Sequence, residues 1–181
     1  MTAIRYEDVE DRVSDLRNKF IPIFGENLSA IHQNAFTTCK MHNFKFSNTL
    51  TSIGDVSFGE CSGLPYAKLK NIKTIDYGAF QGSDIPGVEF GQSIERIGEL
   101  AFNDCNKLST VIFTNDIKNI GENAFPAQTS AYFTQYKQVL KTYDNYPWGL
   151  TEENIFAPEM IDVPSCMTLD QENLTKELVE H

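Results

Sequence analysis

Five times between residues 28 and 125 the chain repeats one apolar phrase: an aliphatic residue, a second aliphatic three places on, and a phenylalanine five further. The copies run from Leu28 and Ile31 to Phe36, Leu50 and Ile53 to Phe58, Ile72 and Ile75 to Phe80, Ile94 and Ile97 to Phe102, and Ile117 and Ile120 to Phe125. The phenylalanines are 22, 22, 22 and 23 residues apart. A single helix or strand repeats its side chains every ~3.6 or ~2 residues, so this period belongs to a larger unit. It predicts a solenoid whose coils bury their apolar columns against one another.

The stretches between the phrases keep the same register. Three residues after each of the first four phenylalanines stands a small residue, Cys39, Cys61, Ser83 or Cys105. An apolar column follows at Met41, Leu64, Ile85 and Leu108, then two more at Phe44, Ala67, Val88, Val111 and at Phe46, Leu69, Phe90, Phe113. The last two columns lie two residues apart, the alternation of a strand with one face on the core. The pattern therefore predicts short strands at 43–47, 66–70, 87–91 and 110–114, with a fifth at 130–133. Stacked about 4.8 Å apart in a parallel sheet, they give a body on the order of 25 Å long. Gly54, Gly98 and Gly121 follow the second aliphatic of their phrases, where positive φ or close backbone approach is easiest without a Cβ. His32 and Asp76 take that slot in two other copies, and His32 reads as a turn residue tolerant of positive φ.

Both ends of the array call for covers. Tyr6, Val9, Val13, Leu16 and Phe20 form one apolar stripe at helical spacing, and Pro22 ends the run. The expected element is an amphipathic helical cap within residues 1–25, the alternative being a helix that docks on a partner or in a short bundle. The repeats then occupy 26–133. Within a C-terminal cap at 134–157, Tyr136, Val139, Leu140 and Tyr143 suggest a helical stripe, Tyr146-Pro147-Trp148-Gly149 an aromatic plug, and Ile155-Phe156 a last short strand. Residues 158–181 form an acidic tail with a weak apolar pattern at Leu169, Leu174 and Leu178, read as disordered or partner-docked.

The pattern Ile-x-x-Ile-Gly-x-x-Ala-Phe-x-x-Cys-x-x-Leu over Ile94 to Leu108, repeated in register across 28–133, resembles the BspA-like leucine-rich repeats, also called the Treponema pallidum type. The resemblance implies an α/β-type solenoid of about five coils with one parallel sheet. It also implies a surface or extracellular protein that binds other proteins, with no shared catalytic residues. Such arrays often close on a segment containing Tyr and Trp, as here. The chain is shorter than a typical adhesin of this kind, and its first thirty residues are too charged for a secretory h-region. Surface, virion-associated and cytoplasmic locations all stay open.

Charge narrows the partners. The formal net charge is −10, and residues 158–181 alone hold six acids against one base. An acidic chain without a basic stripe speaks against nucleic acid or an anionic membrane as partner. No run of residues is apolar enough to insert in a membrane. No GxSxG, GxGxxG, Walker or HExxH pattern occurs, and His32, His42 and His181 fall in unrelated places, so no enzyme, cofactor or metal is expected. Asp55, Glu99 and Glu122 place one carboxylate on each of three coils, which reads as a solvated edge because calcium wants six or more oxygens. Cys39, Cys61 and Cys105 are expected as free buried thiols and Cys166 as a lone tail cysteine.

Function is then expected on the outward face of the strands. One outward row reads Asn43, Tyr66, Gly87, Thr110 and the other Lys45, Lys68, Glu89, Ile112, extended by Tyr132. The candidate partner-binding residues are Lys45, Tyr66, Lys68, Glu89, Thr110, Ile112 and Tyr132, with Tyr66, Ile112 and Tyr132 as an apolar group beside two lysines. The expected function is non-enzymatic binding of a protein partner in adhesion. The alternative is a structural subunit of a larger assembly, such as a phage virion or tail component.

Overall fold

The computed structural model describes residues 3–4, 27–41 and 44–160. The N-terminal helix expected at 6–20, Asn43 and His42, and the tail beyond residue 160 with Cys166 lie outside them.

The chain winds as a β-solenoid with two parallel sheets. Strands β1 (Ala3–Ile4), β2 (Ala30–Ile31), β3 (Ser52–Ile53), β4 (Ala67–Leu69), β5 (Thr74–Ile75), β6 (Gly87–Phe90), β7 (Arg96–Ile97), β8 (Thr110–Phe113), β9 (Asn119–Ile120), β10 (Ser130–Tyr132) and β11 (Ile155–Phe156) follow in order. One sheet has the strand order β1-β2-β3-β5-β7-β9 and the other β11-β10-β8-β6-β4. Every pairing is parallel. The five-stranded sheet is the one the alternating columns predict. The six-stranded sheet is additional, and its two-residue strands are formed by the second aliphatic of each phrase and the residue before it. Ala3 and Ile4 join it in register with Ala30 and Ile31, upstream of the first recognisable phrase.

The apolar columns do fill the interior. Phe36, Phe58, Phe80, Phe102 and Phe125 stack face to face with centroids 5.3, 5.1, 5.0 and 5.5 Å apart. A second ladder runs Phe90, Phe113, Phe133 and ends on the buried Trp148. Cys39, Cys61 and Cys105 are buried thiols, and those of Cys61 and Cys105 donate to the carbonyls of Phe36 and Phe80 one coil back. Burial raises the Cys61 thiol far above its ordinary pKa and pushes Cys105 up to about 11.

Between the sheets the coils are held by turns. Each of the first four coils has two left-handed residues in these turns, Asn34, Val56, Gly78 and Leu100 and again Thr38, Glu60, Gly82 and Asp104, and the fifth has Asn123. In the first four coils the earlier of these residues donates its backbone N–H to the next coil, for example Asn34 to Asp55, Val56 to Tyr77 and Gly78 to Glu99. This corrects the expectation of positive φ at Gly54, Gly98 and Gly121, and at His32 and Asp76. None of the five is left-handed. Close approach is what the glycines provide: a Cβ on Gly121 would stand 2.2 Å from the backbone nitrogen of Glu99.

Four further expectations are corrected. Among the described residues the turns leave almost no helix, so the repeats form a β-solenoid rather than an α/β-type one. Among the described residues, helix is limited to α1 (Lys137–Leu140) and one 3-10 turn at Glu152–Asn154. The C-terminal cap is aromatic but not helical: of its proposed stripe Leu140 is buried and Tyr143 half-buried, while Tyr136 and Val139 face solvent. The number of turns is about six, because Asn145 repeats the left-handed position of Asn123 and Trp148 accepts the N–H of Phe125 through its carbonyl. That last coil escapes the sequence pattern because the phrase-closing phenylalanine is missing from it, Trp148 being the buried aromatic there. Finally, residues 44–47 form no strand. Other coils pair a smaller residue with a larger one at the two inward positions, Ala67 with Leu69 and Val88 with Phe90. The first coil has Phe44 and Phe46, packed edge to face at 4.7 Å, and their combined volume displaces the segment from the ladder.

Candidate functional site

Strand alternation turns every second residue of the five-stranded sheet outward. The register places Lys68 opposite Glu89, Glu89 opposite Ile112, Ile112 opposite Tyr132 and Tyr132 opposite Phe156. These five residues form one unbroken row, roughly 4.8 Å per step. Its first members are charged and joined, Lys68 Nζ lying 3.4 Å from Glu89 Oε2. Its last members are aromatic: the Tyr132 and Phe156 rings stack with centroids 4.8 Å apart and planes at 14°. They remain 43% and 44% exposed, so the stack presents a broad apolar surface to solvent.

The neighbouring row is different. Tyr66 lies flat over Gly87, where a Cβ would come within 2.6 Å of its ring. Glycine at this rung is what admits the ring. Burial raises the Tyr66 pKa, the Glu89 carboxylate adds to the effect, and Lys68 opposes it. Thr110 follows Gly87 in register and is half-buried beside the Ser109 hydroxyl.

The seven sequence-derived candidates therefore separate. Lys45, Tyr66 and Lys68 come together at the β4 end with Glu89 beside them, whereas Ile112 and Tyr132 belong to the β10 end. Tyr66 and Tyr132 are three rungs apart and in different rows, about 14 Å along the sheet. They do not form the single apolar group expected with Ile112, because Tyr66 stands in the other row at the opposite end of the sheet. Phe156 was not among the candidates. Its signal was available, since Ile155 pointing inward forces Phe156 outward in a final strand.

Other polar features are absorbed by the stacking of coils. Asp55 accepts the Tyr77 amide at 3.0 Å, which takes one oxygen of the expected acidic edge. Asp84 accepts from the Leu64 amide at 3.1 Å and from Lys107 at 3.0 Å. Among the described residues, no three His, Cys, Asp or Glu side chains gather as a metal site. No described helix is long and apolar enough to cross a membrane. Among the described residues, two buried hydroxyls, on Ser57 and Tyr146, lack a hydrogen-bond partner.

A family model described as a BspA type leucine rich repeat region matches residues 29–147 in six copies, one more than the phenylalanine phrases alone reveal. No curated protein matches the chain.

Proposed function

Since the chain belongs to the BspA-type leucine-rich repeat family, we propose that it binds a protein partner through the outer face of its five-stranded sheet, without catalysis. Repeats of this family serve as protein-interaction modules. The observation that carries the reading is the exposed Tyr132–Phe156 stack at the end of a continuous outward row. Large aromatic rings held rigid on a sheet bring contact area at little entropic cost, and such residues are enriched among those that dominate binding energy. Ile112, one rung back and half-buried, widens the apolar centre, while Glu89 and Lys68 supply a polar margin.

The reading is tested by crosslinking and affinity capture from the native source with two variants. Replacing Ile112, Tyr132 and Phe156 together by Ser removes the apolar centre without touching a fully buried side chain. Captured partners should be lost while thermal unfolding changes little. Deleting residues 161–181 should leave capture intact. Retention of all partners by the triple variant, with loss on tail deletion, would instead favour anchoring in an assembly such as a virion.

A further inference from the structure

Among the described residues, the segment displaced from the ladder at 44–47 leaves a groove of about 620 Å³ beside β4, where another rung of the sheet would lie. Its apolar floor is the half-buried Phe46, backed edge to face by the buried Phe44, with Pro65 and Tyr66 as the opposite wall. Lys45 and Lys68 stand on the rim, both exposed. Lys68 is bridged to Glu89, an exposed contact that is readily exchanged, and among the described residues Lys45 makes no ion pair.

The charge around the groove opposes that of the molecule. The charged residues that line it are Lys45 and Lys68 and no acid lines it, Glu89 lying beside the rim as the partner of Lys68, in a chain whose net charge is −10. An acidic ligand is therefore repelled by most of the surface and attracted here. A basic ligand meets the opposite field.

We infer that this groove binds an extended acidic segment of a partner protein, with an apolar or aromatic side chain against Phe46 and Tyr66 and flanking carboxylates on Lys45 and Lys68. Extended backbone suits a site left by a missing rung, and the edge of β4 offers it main-chain partners. The inference goes beyond the reading of the Tyr132–Phe156 stack, because the groove lies at the opposite end of the sheet.

The probe is a short fluorescein-labelled peptide with one Phe flanked by Asp and Glu, compared by anisotropy with a Lys-flanked counterpart and with an acidic peptide lacking the Phe. The acidic aromatic peptide should bind best and weaken as salt rises. Lys45→Glu with Lys68→Glu should reduce its affinity by roughly tenfold or more, and Lys45→Gln alone should reduce it in the same direction while leaving the Lys68–Glu89 pair in place. Tyr132→Ser with Phe156→Ser should leave it unchanged. Equal binding of the basic peptide, indifference to the lysine variants, or loss with the Tyr132 and Phe156 changes would each overturn the inference. Binding that emerges only after removal of residues 161–181 would identify the chain's own tail as occupant, and also overturns it. If peptide binding fails while native partners are still lost with the Ile112, Tyr132 and Phe156 variant, the groove alone is refuted. The reverse pattern refutes the sheet-face reading.

Discussion

Ser57 occupies a slot that is alanine in four other coils, at Ala35, Ala79, Ala101 and Ala124. It is fully buried, and its hydroxyl has no hydrogen-bond partner. Its backbone is already satisfied, the N–H donating to Gly54 and the carbonyl accepting from Phe36. The hydroxyl therefore left water without gaining a bond in the folded state, a loss of about 1–3 kcal/mol on the scale of protein mutational data. Ser57→Ala removes that oxygen, and the small loss of packing around one atom offsets part of the gain. We expect the variant to be more stable by ~1 kcal/mol, which raises Tm by roughly 2–4 °C in a domain of this size. Urea unfolding should show a higher midpoint with an unchanged slope, the signature of a native-state effect. The converse change, Ala101→Ser, adds an unpartnered hydroxyl to the same slot one coil pair away and should destabilise by about 1–3 kcal/mol. A Ser57→Ala midpoint equal to or below that of the wild type would refute the reasoning, as would a neutral Ala101→Ser.

Val56 is β-branched yet left-handed, with φ of 51°; Val56→Asn should raise stability by ~1 kcal/mol because Asn tolerates this region, and a loss of stability in urea unfolding would show that the valine methyls matter more than the strain. Alkylation of the native protein at mildly alkaline pH should spare Cys39, Cys61 and Cys105, whose burial blocks access and, for the latter two, suppresses the thiolate; mass spectrometry finding any of the three labelled before unfolding would contradict the buried column. Burial works to raise the Asp84 carboxyl, but the Gly63 amide, Lys107 and the Leu64 amide outweigh it and hold the group below the usual carboxylate range. Its contribution is then fully present above the unfolded value near ~3.9 and lost as pH falls through the lower folded value. Thermal unfolding of Asp84→Asn should accordingly be less stable at neutral pH and show a shallower acid decline, and an unchanged acid limb would count against the assignment.

How much of this was legible in the chain follows from the meaning of its period. One repeat is one turn, so every position in it meets the same surroundings in each coil, and the columns of Phe58, Phe80 and Phe102, of Val88 and Val111, and of Cys61 and Cys105 can be read as buried from their spacing alone. The strands β4, β6, β8 and β10 follow for the same reason, as does the outward direction of Lys68, Glu89, Ile112 and Tyr132. Features decided between coils were not legible. Strands of two residues carry no alternation, so the six-stranded sheet, and the place of Ala3 and Ile4 in it, exist only through pairing with neighbours. The left-handed positions escaped because Val56 and Leu100 occupy them, held there by hydrogen bonds to the next coil. The missing rung at 44–47 is a matter of volume, two phenylalanines where other coils put a smaller and a larger residue. The site was divided likewise: composition named Tyr66 and Tyr132 as surface aromatics, but only the stacking of coils put one over Gly87 beside a groove and the other against Phe156 at the opposite end of the sheet.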